Sequence, residues 1–298
     1  MRRLAFAFTV LVCCVAASAS DPPKRPRIFG IAQVRIIADD LPVSRGFYEK
    51  VLTIMRPTVC NWCEKVPSRA FSLNGLQLIS NSHAASTAST NRIEEIAFAT
   101  DDIPALRRYL SFYKIDVSKP QKPVDNYLTV TDPEGHHIAF RLRLKKLPNL
   151  VALAGPVIHA GIIVHDRAAE DRFYKDMLGF RLYWQGGMKD DQTDWVDMQV
   201  PNGTDWIEYM LNVPKDAGHR TLGVMNHVAL GVPDVHAAQT QLLENGVKLT
   251  EQPKIGRDGK WQLNLYDPDD TRVEFMEFKP TTKPCCSEFT GPHPGLHQ

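Results

Sequence analysis

A chain of 298 residues, 43% hydrophobic and 23% charged, is long enough for two domains and can bury sizeable cores without disulfides. Its formal net charge of +1 excludes the strongly basic footprint of a nucleic-acid or anionic-membrane partner.

The first element is a leader. Arg2 and Arg3 precede an apolar run from Leu4 to Ala17 that is too short to span a bilayer, and Ala17-Ser18-Ala19 supplies the small residues of a signal-peptidase site. Residues 1–19 are therefore expected to be a signal peptide. The mature protein is expected to be exported, periplasmic or secreted, with no membrane span.

An apolar strand follows, Ile31 to Ala38, closed by Asp39-Asp40 and then by a helix carrying Phe47, Tyr48, Val51 and Leu52 on one stripe. The same order of strand, acidic turn and amphipathic helix recurs from Ile93 to Asp102, from Val157 to Asp166 and from Met225 to Asp234. Each acidic turn is suited to cap the helix behind it. In the third copy the stripe is Phe173, Tyr174, Met177 and Leu178, and Gly179 marks its stop; Gly246 does so in the fourth.

Strands complete each copy. Tyr127–Thr131 and His137–Leu142 flank Asp132-Pro133-Glu134-Gly135, and Trp261–Tyr266 and Arg272–Phe278 flank Asp267-Pro268-Asp269-Asp270. Between them, Trp195–Val200 and Asp205–Leu211 flank Pro201-Asn202-Gly203-Thr204, a hairpin signal that also spells a glycosylation sequon. One such unit cannot cover its own sheet, so the units are expected to pair. The result is two domains, residues 27–144 and 156–278, joined by a Leu147-to-Gly155 linker and followed by a Cys/Pro-rich tail at 279–298.

Beyond the leader the chain carries Cys60, Cys63, Cys285 and Cys286. An exported protein with an even count suggests disulfides, in any of three connectivities. A bridge from the tail to the first domain would hold the tail. Cys60-Asn61-Trp62-Cys63 also has the spacing of a redox motif or half a zinc site.

Four βαβββ units of α+β class, paired in twos with curved mixed sheets, resemble the vicinal oxygen chelate superfamily of glyoxalase I, bleomycin-resistance proteins and extradiol dioxygenases. The Phe173-to-Phe180 run is one of its recognisable stretches. In that family the metal ligands sit on the first and last strands of each unit. The resemblance places them here at His159, Glu208, His227 and Glu274, and the two His-to-Glu intervals are nearly equal. Two imidazoles and two carboxylates suit a divalent Zn, Ni, Fe, Mn or Co ion. Unpaired acids within the apolar runs 206–210 and 273–276 would be costly. The first domain has Gln33, Gln77, Glu95 and Ala139 at those positions, so it is expected to lack metal and to play a structural role.

The resemblance implies an enzyme acting on a small oxygen-chelating substrate. The full quartet points to glyoxalase I-like lyase, isomerase or epimerase chemistry through an enediolate-type intermediate, with Glu208 and Glu274 as candidate catalytic bases. The alternative is an extradiol-type dioxygenase with Fe(II) on His159, His227 and Glu274. Against it, Asn264 stands where that family's tyrosine is expected, with Tyr266 nearby, and His219 is a weakly placed acid–base candidate. Non-catalytic binding is the third reading, and the retained quartet argues against it. Trp184, Trp195, Trp206 and Tyr209 are candidates to line an apolar pocket.

Overall fold

The computed structural model describes residues 21–52, 70–73, 75–80, 91–120, 124–143 and 155–295. The expected leader, Cys60, Cys63 and the linker up to its final glycine lie outside them. In the first half run β1 (Ile28–Ala38), α1 (Leu41–Leu52), β2 (Ala70–Leu73), β3 (Leu76–Ser80), β4 (Ile93–Thr100), α2 (Ile103–Phe112), β5 (Tyr127–Thr131) and β6 (His137–Leu142). The second half begins with β7 (Val157–Ile163), then α3 (Arg167–Glu170, continuing as a π-helix over Asp171–Met177), β8 (Arg181–Gly186), β9 (Trp195–Gln199) and β10 (Trp206–Met210). It ends with α4 (His219–Met225), β11 (His227–Val232), α5 (Val235–Glu244), β12 (Lys254–Ile255), β13 (Trp261–Tyr266) and β14 (Arg272–Glu277).

The acidic turns act as expected. Asp40, Asp102, Asp166 and Asp234 each accept a backbone N–H from the first turn of the helix they precede. Gly179 and Gly246 take positive φ, 75° and 74°, which ends their helices at little steric cost. The helix α4 was not anticipated from the sequence.

Each half forms one curved mixed sheet, ordered β2-β3-β1-β4-β6-β5 and β12-β13-β14-β11-β7-β10-β9-β8. The opening strands of paired units meet antiparallel at the centre, β1 with β4 and β7 with β11. The closing strand of each unit lies parallel to its own opener. The third and fourth units show the full βαβββ order; the first and second show one strand fewer among the described residues.

The two halves share one apolar core. Its buried members run from Ile28 and Phe98 through Phe180 to Phe275, and Phe98 meets Phe180 edge to face at 5.3 Å. Two matching hydrogen bonds cross the junction. Tyr48 of α1 donates to Asp267 in the turn of the fourth unit, and Tyr174 of the π-helix donates to Asp132 in the turn of the second, each at 3.0 Å. All four side chains are buried. Each half thus supplies one tyrosine and one aspartate. Close packing adds to this: Gly30 has no side chain where Asp205 comes in to accept the Ile31 N–H at 2.8 Å. We expect Tyr48→Phe and Tyr174→Phe each to cost about 1–3 kcal/mol, the penalty for stripping a buried carboxylate of a donor. With the core continuous, urea unfolding of either variant should remain a single transition with a lowered midpoint.

The tail is held differently from expectation. Cys285 is bonded to Cys286, not to a cysteine of the first half. Residues 285–292 instead lie against β8 and β9, with Trp184 Nε1 donating to the Cys285 carbonyl, Ser287 Oγ accepting from the Gln185 N–H, Thr290 N–H donating to the Tyr183 carbonyl and Gln199 donating to the Pro292 carbonyl. Hydrogen bonds to β8 and β9, one of them backbone to backbone and three through side chains, secure a segment that has no apolar periodicity of its own.

Candidate metal centre

Four adjacent strands, β14, β11, β7 and β10, carry the four expected ligands. The register explains how they meet. Glu208 and His227 both lie opposite Gly161, one from each side; His159 and Glu274 both lie opposite Ala229. All six therefore share the concave face, with two small residues in the middle leaving room for the four long ones. A Cβ at Gly161 would fall 2.0 Å from His227 Cε1, so only glycine accommodates the ring as it stands.

The side-chain tips converge. His159 Nε2 lies 3.1 Å from His227 Nε2, 3.8 Å from Glu208 Oε2 and 3.7 Å from Glu274 Oε2. His227 Nε2 is 3.1 Å from Glu208 Oε2 and 3.8 Å from Glu274 Oε2. Donor atoms around an ion with bonds of about 2.0–2.2 Å stand roughly 3–3.6 Å apart, so the two separations of 3.1 Å fit a shared ion and those of 3.7 and 3.8 Å need close only slightly. The protonation chemistry suits one too. Burial, reinforced by His227 and Arg272, pushes the His159 imidazole well below its ordinary value, and burial with Arg272 does the same for His227. Both rings are thus held in the neutral, ligating form. His227 Nδ1 lies 3.0 Å from the Met225 carbonyl; donating there leaves a lone pair on Nε2. Burial pushes the Glu208 and Glu274 carboxyls up to about 7, so without an ion each is about half protonated at neutral pH. Glu274 Oε1 is buried without a partner.

The centre opens into a cavity of about 300 Å³. Trp184, Trp195 and Trp206 line it, as expected; Tyr209 does not, because the alternation of β10 turns it into the core. Trp206 lies along His159, ring centroids 4.7 Å apart. Asn264 also lines the cavity, with its Nδ2 on Glu251, whereas Tyr266 donates to Glu251 and does not reach the wall. His219 is likewise absent from it, half-exposed with Nδ1 3.6 Å from Asp270. Among the described residues, the only histidine lining this cavity is His159, and His227 stands just behind it.

The acidic and basic neighbours not read from the sequence include Asp197 and Arg272. Asp197 lies opposite Glu208 in the sheet, is buried, and is pushed well up by burial and by Glu208. Arg272 donates from Nη2 to His227 Nε2 at 2.6 Å and stands 4.0 Å from Glu274. Its place two residues before Glu274 put it on the same strand face, a signal present in the sequence.

The first half repeats the geometry with different contents. Gln77 and Glu95 lie opposite Arg35, as Glu208 and His227 lie opposite Gly161, and Gln33 and Ala139 lie opposite Ala97. Arg35 fills the middle: its guanidinium donates to Gln77 at 3.2 Å and stands 3.3 Å from Glu95, which also accepts from Tyr127. A fixed cation on the chain thus takes the position between these polar side chains.

Residues 157–275 match the sequence model of the glyoxalase/bleomycin resistance protein/dioxygenase superfamily. No curated protein matches the chain. Among solved structures, an extradiol ring-cleaving dioxygenase from B. fuscum superposes with a TM-score of 0.62 over 91% of this chain and 76% of its own, at 18% identity. Homoprotocatechuate 2,3-dioxygenase from Brevibacterium fuscum, in complex with 3,4-dihydroxyphenylacetate, gives 0.61 over 91% and 84%, also at 18% identity. The homoprotocatechuate 2,3-dioxygenase of Arthrobacter globiformis gives 0.61 over 87% and 81% at the same identity. At that identity the likeness is one of fold, and it extends over both halves.

Proposed function

We infer that this chain, whose residues 157–275 belong to the glyoxalase/bleomycin resistance protein/dioxygenase superfamily, is a metal-dependent enzyme acting on a small molecule with two neighbouring oxygens. The observation that carries this reading is that Glu208 and Glu274 each bring a carboxylate within 3.8 Å of both the His159 and His227 Nε2 atoms at the wall of a cavity. His159, His227 and Glu274 would hold a divalent ion, the two-histidine, one-carboxylate set suited to Fe(II). When bound, the ion supplies Lewis-acid polarisation of the substrate oxygens and, if it is iron, access to oxygen chemistry. The protein's own part is placement and exclusion. Trp206 fixes the His159 ring, Trp184 and Trp195 supply flat apolar wall for a substrate body, and burial of the acids keeps water from competing for them. Export, expected from the leader, is part of the same proposal.

Extradiol-type opening of a catechol is the reaction favoured by the two-half layout, shared along 91% of this chain with a ring-cleaving enzyme. A specific observation supports a second reading, proton transfer on a 2-oxo or 2-hydroxy compound. Glu208 brings a second carboxylate to 3.1 Å from His227, where it can act as base. The two readings separate on Glu208→Gln. After loading with Fe(II), oxygen uptake on catechols is expected and should survive the substitution within about tenfold. Oxygen-independent proton exchange that falls by about 10²–10⁴ in the same variant would select the second reading. Wild-type protein that retains no ion, and gains no thermal stability from Fe, Mn, Co, Ni or Zn, would sink both.

A further inference from the structure

The two junction hydrogen bonds that lock the halves together differ in one neighbour. Four residues before Tyr48 stands Ser44, buried, whose hydroxyl donates to Asp269 at 3.3 Å. Four residues before Tyr174 stands Glu170, also fully buried, and a carboxylate has no proton of its own to donate. Glu170 Oε1 accepts the Glu134 N–H at 2.9 Å, while Oε2 has no partner. Beside it, Asp132 is buried, accepts from the Tyr174 hydroxyl at 3.0 Å and from the His136 N–H at 2.7 Å, and faces His136 Nδ1 at 2.8 Å. One side-chain donor atom from each of Asp132, His136 and Glu170 lies within 4.8 Å of the other two. The Tyr209 hydroxyl is a second buried atom without a partner, within electrostatic reach of both carboxylates. A buried carboxylate oxygen left unsatisfied beside two further ligand-type side chains calls for an occupant.

We propose that Asp132, His136 and Glu170 form a second divalent-cation site, separate from the catalytic cavity, in which a zinc-like ion clamps the turn of the second unit to the helix of the third. Two carboxylates balance the charge of such an ion, and one imidazole with two carboxylate oxygens is a donor set for zinc or manganese rather than for calcium. His136 Nδ1 and Asp132 Oδ2, 2.8 Å apart, are hydrogen-bonded to each other, and an ion shared between them would need to part them by only a few tenths of an ångström. Ser44 at the equivalent place leaves the other junction without this site. In the absence of an ion, burial and then Asp132 push the Glu170 carboxyl up to about 8, so a proton is the competing occupant.

Zinc stoichiometry of the full chain tests this, by equilibrium dialysis and elemental analysis. Wild type is expected to bind two ions; Glu170→Gln, which keeps the acceptor for Glu134 N–H, and His136→Ala, at the rim, should each bind one. His159→Ala/His227→Ala should retain one ion that raises its melting temperature, and adding Glu170→Gln should weaken that binding at least tenfold. A single ion lost with His159 and His227 and untouched by Glu170→Gln would show that the junction holds only a proton. A second ion that survives both Glu170→Gln and His136→Ala would place it elsewhere. Either result overturns the proposal. Neither depends on whether the cavity is catalytic.

Discussion

Gly161→Ala is expected to weaken ion binding at the candidate centre by about 100-fold or more while leaving the chain folded. The methyl group would stand 2.0 Å from His227 Cε1 and 2.1 Å from Nδ1, inside any tolerable contact. The backbone of β7 cannot retreat, since it is paired on both sides, with β10 and with β11. The His227 ring must therefore turn, losing the Nδ1 contact with the Met225 carbonyl that sets its tautomer and carrying Nε2 away from His159 and the two glutamates. Disturbing a partner that orients a ligand typically costs 10–100-fold in affinity; displacing the ligand itself costs more. Overpacking should add about 1–3 kcal/mol of destabilisation. Metal content after dialysis against a buffered divalent ion, with a melting curve on the same sample, checks both parts. Unchanged affinity in a folded Gly161→Ala protein would mean that His227 is not a ligand.

The same glycine shows how far the sequence could be read. Aligning the opening strands of the repeats sets His159 beside Gln33, and it equally sets Gly161 beside Arg35. The first pairing is chemically conspicuous and marked the site. The second carries the steric reason for it, yet a glycine in a strand has many explanations until the register shows which side chains flank it. Strand limits were legible where an Asp-Pro turn fixed both ends, so β5, β6 and β13 begin and end where expected. The family resemblance picked out the four ligands, and the strand register then sets them on one face. What escaped depends on contacts between distant segments. Nothing local in Tyr48 or Tyr174 says that each reaches the turn of the opposite half. Arg272 could be assigned to the face of Glu274, but its contact with His227 requires knowing that β14 and β11 are neighbours. The tail misled because cysteine count suggests a long-range bridge, whereas Cys285 and Cys286 bond to each other and hydrogen bonds to β8 and β9 hold the segment.

Metal-free protein is expected to lose stability as the pH rises from about 6.5 to about 8, and ion addition to reverse the loss. Glu208 and Glu274 start from an ordinary value of 4.5, and burial raises each to about 7 in the folded chain. Between those values the folded state holds protons that the unfolded state has released, so raising the pH favours unfolding. Asp205, raised by burial to about 7, and Glu170, raised to about 8, act in the same direction. His159 and His227 act oppositely: burial lowers them, the unfolded chain takes up their protons below 6.5, and acid destabilises the fold through them. Above about 6.5 the histidines no longer contribute and only the carboxylates remain, which sets the sign. A proton held by the folded chain and released by the unfolded one changes stability by about 1.36 kcal/mol for every pH unit crossed. Several buried acids together can therefore move stability by a few kcal/mol across this window. An ion changes the balance because ligating carboxylates must give up their protons. Its binding near pH 6.5 should release protons, visible as a calorimetric enthalpy that varies with buffer ionisation heat. Calorimetric melting in chelator should show the midpoint falling from pH 6.5 to 8, and in saturating ion a flatter profile at higher temperature. A midpoint that rises with pH across that window in chelator would mean the acids at the centre are ionised and paired in the metal-free fold, with Arg272 taking the ion's part as Arg35 does in the first half.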